Sequence, residues 1–301
     1  MFTNPDSPAA VGQSLSDHGY LSDTGLTTAV FLAMTMSRPL FLEGDPGVGK
    51  TELAKVLSTW TGGDLIRLQC YEGIDSAQAL YEWDYPKQLL HLRASELLAR
   101  DEAAGSARGS ELYSEKFLIR RPLLQALDYH GAGIPVLLID EIDRADDEFE
   151  AFLLEILSEF SVTIPELGQI SAKRVPLVVI TSNRTRDVHD ALKRRCLYHW
   201  ISHPTLDREI DILKLKAPDV GEVLSRQVAS AVQQMRSFGL FKPPGVAETI
   251  DWATALGKLG EAKLTEESLG ATLGAVLKYR EDQERVVSQG LNIILSAVSD
   301  A

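Results

Sequence analysis

The segment Gly44-Asp45-Pro46-Gly47-Val48-Gly49-Lys50-Thr51 constrains this chain more than any other. Glycine, four residues, glycine, lysine and threonine form a phosphate cradle when a strand precedes and a helix follows. The apolar run Pro39 to Leu42 supplies the strand, and Thr51 to Thr59 reads as the helix. Glycines let the backbone turn so that its N–H groups face phosphate oxygens, and the helix N-terminus adds a favourable dipole. Lys50 would reach the β- and γ-phosphates and the Thr51 hydroxyl would coordinate Mg²⁺. Glu52, next in the same turn, completes the candidate nucleotide-binding set. A chance Gly-rich turn of this form arises in roughly one chain of this length per hundred.

Two further strand ends carry polar groups. Val136-Leu-Leu-Ile-Asp140-Glu141 is an apolar strand closing on two carboxylates. Such a strand delivers Asp140 to the carboxyl edge of a parallel sheet, where ligands bind in open α/β folds. There Asp140 would hold Mg²⁺ through water and Glu141 would activate the attacking water. The bland alternative is a helix cap, because a helix is expected from about Asp146. Val178-Val-Ile-Thr-Ser-Asn183 ends a third strand on an amide suited to a γ-phosphate or the attacking water, or else to an Asx-turn. Lys193-Arg194-Arg195 follows. It is either a solvated basic face or the source of an arginine acting on a neighbour's phosphate.

Strands alternating with helices predict an α/β fold, a parallel sheet sandwiched by helices. Residues 1–20 read as a loose arm and 21–204 as the α/β domain. A helix is expected from Ser22 to Ser37, with Leu26, Val30, Ala33 and Met34 on one face. Residues 72–122 read as an insertion with a loop at Ala103 to Ser110, and 161–174 as a hairpin about Leu167-Gly168. From 205 to 301 an all-helical domain is expected. Val220, Val223, Leu224, Val228, Val232 and Met235 mark one of its helices. Val287, Leu291, Ile294, Leu295 and Val298 mark another.

Taken in this order, the motifs resemble AAA+ ATPases, with the helical domain as lid. The segments YLSDTGLTTAVFLAMTMSRPLFLEGDPGVGKT, LLIDEIDRADDEFEAFLLEIL and VVITSNRTRDVHDALKRRC are similar to the MoxR family. CYEGIDSAQALYEWDYPKQLLHLRASE resembles its branch associated with carbon monoxide dehydrogenase gene clusters. The resemblance implies Mg²⁺-dependent ATP hydrolysis at the interfaces of a homo-hexameric ring. It further implies a von Willebrand factor A domain partner and a client enzyme to be matured. By the same match 72–122 holds the helix-2 insertion, 161–174 is the pre-sensor hairpin, Asn183 is sensor 1 and Arg195 is the arginine finger, with Arg194 the alternative. The family's sensor 2 arginine has no counterpart in Pro243-Pro-Gly-Val-Ala-Glu248, where Glu248 stands near the expected place.

Composition narrows the class. With 30 basic and 43 acidic residues the formal charge is −13. That field repels phosphate backbones and argues against a nucleic-acid motor. Two cysteines, Cys70 and Cys196, make neither a disulfide framework nor a zinc site, which points to the cytoplasm. No apolar run is long enough for a membrane span. A nucleotide-dependent switch that scarcely hydrolyses ATP is the alternative to a remodelling ATPase. Tyr81, Trp83 and Tyr85, beside Glu82 and Asp84, are either a partner surface or packing within the insertion.

Overall fold

The strands that the apolar runs predict assemble into one sheet. The computed structural model describes residues 3–98 and 112–299; the loop expected at Ala103 to Ser110 lies outside them. In chain order the strands are β1 (Leu40–Gly44), β2 (Gly62–Gln69), β3 (Tyr81–Trp83), β4 (Leu118–Arg120), β5 (Ile134–Asp140), β6 (Ser161–Ile164), β7 (Gly168–Ser171), β8 (Leu177–Ser182) and β9 (Leu197–Ile201). Five of them form the main sheet in the order β2-β5-β8-β1-β9, while β3 with β4 and β6 with β7 make antiparallel pairs. The β1–β8, β5–β8 and β2–β5 pairings are parallel. Glu43 sits opposite Ser182 and Gln69 opposite Asp140, so these strands end on a common edge.

The helices are α1 (Pro8–Asp17), α2 (Thr24–Met36), α3 (Lys50–Thr61), α4 (Ser76–Ala79), α5 (Tyr85–Leu98), α6 (Pro122–Leu127), α7 (Asp147–Glu159), α8 (Asp190–Arg195), α9 (Leu206–Lys216), α10 (Glu222–Arg236), α11 (Val246–Lys258), α12 (Glu266–Val276), α13 (Arg280–Gln289) and α14 (Leu291–Ser299). Every residue of β8 is buried, as are Val136 to Asp140 of β5, which is how a strand covered on both faces behaves. Phe41, Leu137, Ile139, Val178 and Ile180 share a core with Phe149, Leu153 and Ile156 of α7. Asp146 caps α7 by accepting from the Phe149 N–H at 2.9 Å.

The chain divides into two compact units. The first comprises Met1–Val11, Thr24–Glu43 and Ala54–His199; the second comprises Gly12–Asp23, Gly44–Leu53 and Trp200–Ala301. The second has its own core, in which Leu224, Val228, Val232 and Met235 of α10 meet Trp252, Leu269, Leu273 and Ile294. Its buried Trp252 donates to Thr272 Oγ1 at 2.7 Å, so the indole N–H is satisfied.

Several expectations are corrected. Residues 8–17 are helical instead of a loose arm, because Val11 and Leu15 fall four apart and bury one face. Residues 12–23 and 44–53 group with the helical residues, not with an α/β domain spanning 21–204. Tight packing explains the second of these: a Cβ on Gly44 would lie 2.4 Å from the Ile201 carbonyl oxygen, and the Ala247 N–H donates to Gly47 O at 3.2 Å. The C-terminal helical stretch is broken at Gly290 (φ +99°) into α13 and α14. Val223 and Val287 face outward instead of joining the core. Strands β3, β4 and β9 were not anticipated.

Candidate functional site

The glycine-rich loop runs from the end of β1 to the first turn of α3. Gly47 has φ +78° and Gly49 +97°, left-handed values that favour glycine. A side chain at Gly47 would also place Cβ 2.7 Å from Glu248 Oε2. The Lys50 ammonium is buried and donates to the Gly44 carbonyl at 2.6 Å and the Asp45 carbonyl at 2.8 Å. It is thus tied to the carbonyls of its own loop. Val48 is buried, Pro46 exposed and Thr51 half-buried. The Glu52 carboxylate pairs with Lys216 at 3.0 Å.

Residues with no motif of their own line this loop. Glu248 caps α11, its Oε2 accepting the Gly245 N–H at 3.1 Å beside Gly47. Glu248, near the place expected for the sensor arginine, thus caps its own helix. Arg236 lies nearer the core of that unit, forked on buried Glu209 at 2.7 and 2.7 Å. His203 Nε2 is 3.3 Å from Asp45 Oδ2. Burial, and then the Arg236 charge, lower its pKa, with Asp45 opposing, so the ring is neutral near pH 7. The Tyr20 ring lies against Gly49, and burial pushes its hydroxyl well above the ordinary range.

In the first unit the sheet edge brings Asp140, Glu141 and Asn183 together. Asp140, buried, accepts from Thr181 Oγ1 at 2.5 Å through Oδ1. Its Oδ2 accepts from Arg67 at 2.6 Å (Nη2) and 3.0 Å (Nε). Glu141 adopts left-handed backbone geometry (φ 56°) as the chain leaves β5. Its N–H donates to Thr181 Oγ1 at 3.0 Å, so one hydroxyl bridges both acidic residues. Glu141 Oε1 accepts from Asn183 Nδ2 at 3.2 Å, and Oε2 accepts from Gln69 Nε2 at 3.0 Å and Arg144 Nη1 at 3.1 Å. A carboxylate with three donors on it is held in one orientation, as a group that is to accept a proton from water must be.

Asn183 is itself pinned. Buried Asp143 accepts from the N–H groups of Asn183 (3.2 Å) and Thr185 (2.8 Å) and from Thr185 Oγ1 (2.7 Å). Asp143, Thr181, Arg67 and Gln69 are the site residues that sequence reasoning missed. The alternation of β2 puts Arg67 and Gln69 on one face, and that was the available signal.

The basic run is sorted by helix geometry. Lys193 turns inward, paired with buried Glu43 at 3.0 Å and lying 5.6 Å over the Phe41 ring. Arg194 is exposed, with a long contact to Asp190 at 3.8 Å. Arg195 Nη1 donates to the Leu154 carbonyl at 3.3 Å. Arg38 caps α8 by donating to the carbonyls of Arg194 (2.8 Å) and Arg195 (3.1 Å). At its other end buried Glu150 accepts the His189 N–H at 2.7 Å and pairs with Arg186. Both candidate fingers thus ride on a helix fixed at each terminus.

Outside the site, Trp83 is buried in edge-on contact with Tyr113, whereas Tyr85 is exposed. The insertion aromatics therefore serve packing and surface alike. Cys70 and Cys196 are free thiols. Burial pushes each up to about 12, and the carboxylate of Asp140 adds to the rise at Cys70. Among the described residues no cluster of His, Cys, Asp and Glu is arranged to hold a metal alone, and no helix is long and apolar enough to cross a membrane.

Comparison with known proteins adds four findings. Residues 39–196 match the family described as AAA domain (dynein-related subfamily). The chain is 26% identical over 258 residues to the uncharacterized protein YehL of Escherichia coli (strain K12), covering 80% of this chain and 64% of that protein's length. Among solved structures, a RuvB mutant of Thermotoga maritima superposes with TM-score 0.49 at 16% identity, covering 97% of this chain and 83% of that one. The Thermotoga maritima RuvB Holliday junction branch migration motor gives 0.44 at 17% identity, covering 90% and 72%.

Proposed function

Because the chain belongs to the dynein-related subfamily of AAA domains, we propose that it hydrolyses Mg²⁺-ATP and uses the energy to remodel a partner protein complex. One observation carries the hydrolytic part: Glu141 is held by Arg144 and Asn183 beside buried Asp140. In this reading the backbone of Gly44 to Gly49 binds the phosphates and Lys50 leaves its loop carbonyls for the γ-phosphate. Thr51 and Asp140 offer the hard oxygens that suit Mg²⁺, the buried ammonium and left-handed glycines suit a triphosphate, and the ion would neutralise charge on the β- and γ-phosphates. Glu141 takes a proton from the attacking water, and Asn183 keeps that carboxylate aimed.

The remodelling part rests on the MoxR resemblance. A homo-hexameric ring with a von Willebrand factor A domain partner and a metalloenzyme client, such as carbon monoxide dehydrogenase, fits that resemblance. Arg195, with Arg194 the alternative, acts on the neighbour's nucleotide. The charge of −13 weighs against a nucleic-acid role. A second reading, a slow nucleotide-dependent switch, is favoured by the carboxylate of Glu248 beside Gly47, where an arginine would sense the γ-phosphate.

The test compares ATP binding and turnover in the wild type, Glu141→Gln and Lys50→Ala. The proposal expects Glu141→Gln to bind ATP with turnover reduced at least a hundredfold, and Lys50→Ala to lose binding. Equal turnover by the wild type and Glu141→Gln would refute the role of Glu141. Wild-type binding without measurable turnover would select the switch.

A further inference from the structure

We propose that Arg67 is a metal-displaced latch: it competes with the divalent cation for Asp140 Oδ2 and relays the cation's arrival to Glu141 through Gln69. This rests on the Mg²⁺-ATP reading above and concerns residues that reading leaves without a role. Arg67 and Gln69 project from the same face of β2. The Arg67 guanidinium reaches Asp140 Oδ2 with two of its nitrogens, and its Nη2 also donates to Gln69 Oε1 at 2.5 Å. The Gln69 amide in turn donates to Glu141 Oε2 at 3.0 Å. One unbroken chain of hydrogen bonds thus joins the candidate metal ligand to the candidate water-activating group.

Burial is lopsided along that chain. The Asp140 side chain is 4% exposed and that of Arg67 is 52% exposed. A carboxylate so buried needs a cation beside it, because an uncompensated buried charge is strongly destabilising. Arg67 supplies positive charge from the solvent side, and its half-exposed head can return to water at small cost. Thr181 donates to Oδ1, and Oδ2 is the oxygen for which the guanidinium and a hydrated metal would compete. Two cations sharing one oxygen repel at close range, so metal and guanidinium exclude one another there. Once Arg67 leaves, Gln69 Oε1 loses its charged donor and the amide is no longer clamped against Glu141. Arg67 touches neither nucleotide nor water in this scheme and is a positioning residue.

The experiment titrates Mg²⁺ into the full chain with a fluorescent ATP analogue, each protein referenced to its own affinity in EDTA. Arg67→Met, similar in length and uncharged, should bring the Mg²⁺ half-saturation point down about tenfold, the equivalent of ~1.4 kcal/mol. Arg67→Lys, which keeps the charge without the fork, should fall between. A residue needed only for folding would not improve metal uptake. An unchanged or raised Mg²⁺ requirement in Arg67→Met overturns the latch. A second measurement needs no variant: an arginine-selective dicarbonyl should modify Arg67 faster with Mg²⁺, alone or with nucleotide, than in EDTA. Equal or slower modification overturns it equally. A wild type that binds no nucleotide under any condition refutes the ATP reading instead, and the labelling with Mg²⁺ alone then decides the latch.

Discussion

Replacing Asp143 by alanine should both soften the fold and disarm Asn183. The side chain is 2% exposed and accepts three hydrogen bonds, from the N–H groups of Asn183 and Thr185 and from the Thr185 hydroxyl. Hydrogen bonds to a charged group contribute about 1.5–3 kcal/mol each, and a buried N–H left unsatisfied costs about 1–3 kcal/mol. The Asn183 bond is the longest and counts least, and the Thr185 hydroxyl can rotate to another acceptor. A net loss of about 3–5 kcal/mol follows. For a unit of this size each kcal/mol moves Tm by ~2–4 °C, so a fall of about 10 °C is expected. Asp143→Asn retains one acceptor oxygen but turns an N–H donor toward the backbone donors, and should lose a smaller part of the same stability. The assay is thermal unfolding followed by circular dichroism, with ATP turnover and nucleotide affinity measured well below both midpoints. Turnover should fall much further than affinity, because the loop that aims Asn183 at Glu141 is what loosens. A Tm within about 2 °C of the wild type, with turnover intact, would refute the reasoning.

Two predictions accompany it. Arg195→Ala and Lys50→Ala, each inactive alone, should regain turnover when mixed, since a mixed interface can pair an intact loop with an intact arginine; an arginine supplied in trans is worth about 10³–10⁵ in rate. No recovery at any ratio, with mixed assembly demonstrated, would refute the trans role. The thiols give a pH dependence. Each is raised from about 9 to about 12 in the fold, so above pH 9 the unfolded chain sheds protons that the native chain keeps. Stability is complete below pH 9 and should fall by ~1.4 kcal/mol per thiol for each pH unit above it. Denaturant unfolding at pH 8 and pH 10 should show that loss in the wild type and much less of it in a Cys70→Ala, Cys196→Ala double variant; parallel losses would refute it.

What the sequence shows of this site follows from how local each part is. The loop Gly44 to Thr51 was legible because its chemistry is written in eight consecutive residues, between a strand and a helix that each announce themselves. Asp140 and Asn183 were legible for a related reason: each ends an apolar run, and the end of a buried parallel strand is where such a fold places its polar work. Arg67 and Gln69 were not. They alternate with apolar residues in β2 as any solvent-facing pair would, and only the pairing of β2 with β5 sets them against Asp140 and Glu141. Asp143 was hidden differently, as one of five carboxylates between 140 and 147 that serve as strand end, loop anchor and helix cap. The edge strand β9 was missed because Leu197 to Trp200 alternate between half-buried and exposed, only Ile201 is buried, and the apolar run of a central strand is lacking. The same distinction bears on function. The residues proposed to bind nucleotide lie in contiguous motifs, whereas Arg67 and Gln69, which hydrogen-bond Asp140 and Glu141, are brought in by strand pairing. A phosphate-binding loop is therefore open to prediction from the chain alone, and the surroundings of Asp140 and Glu141 become visible only once the register of β2 against β5 is known.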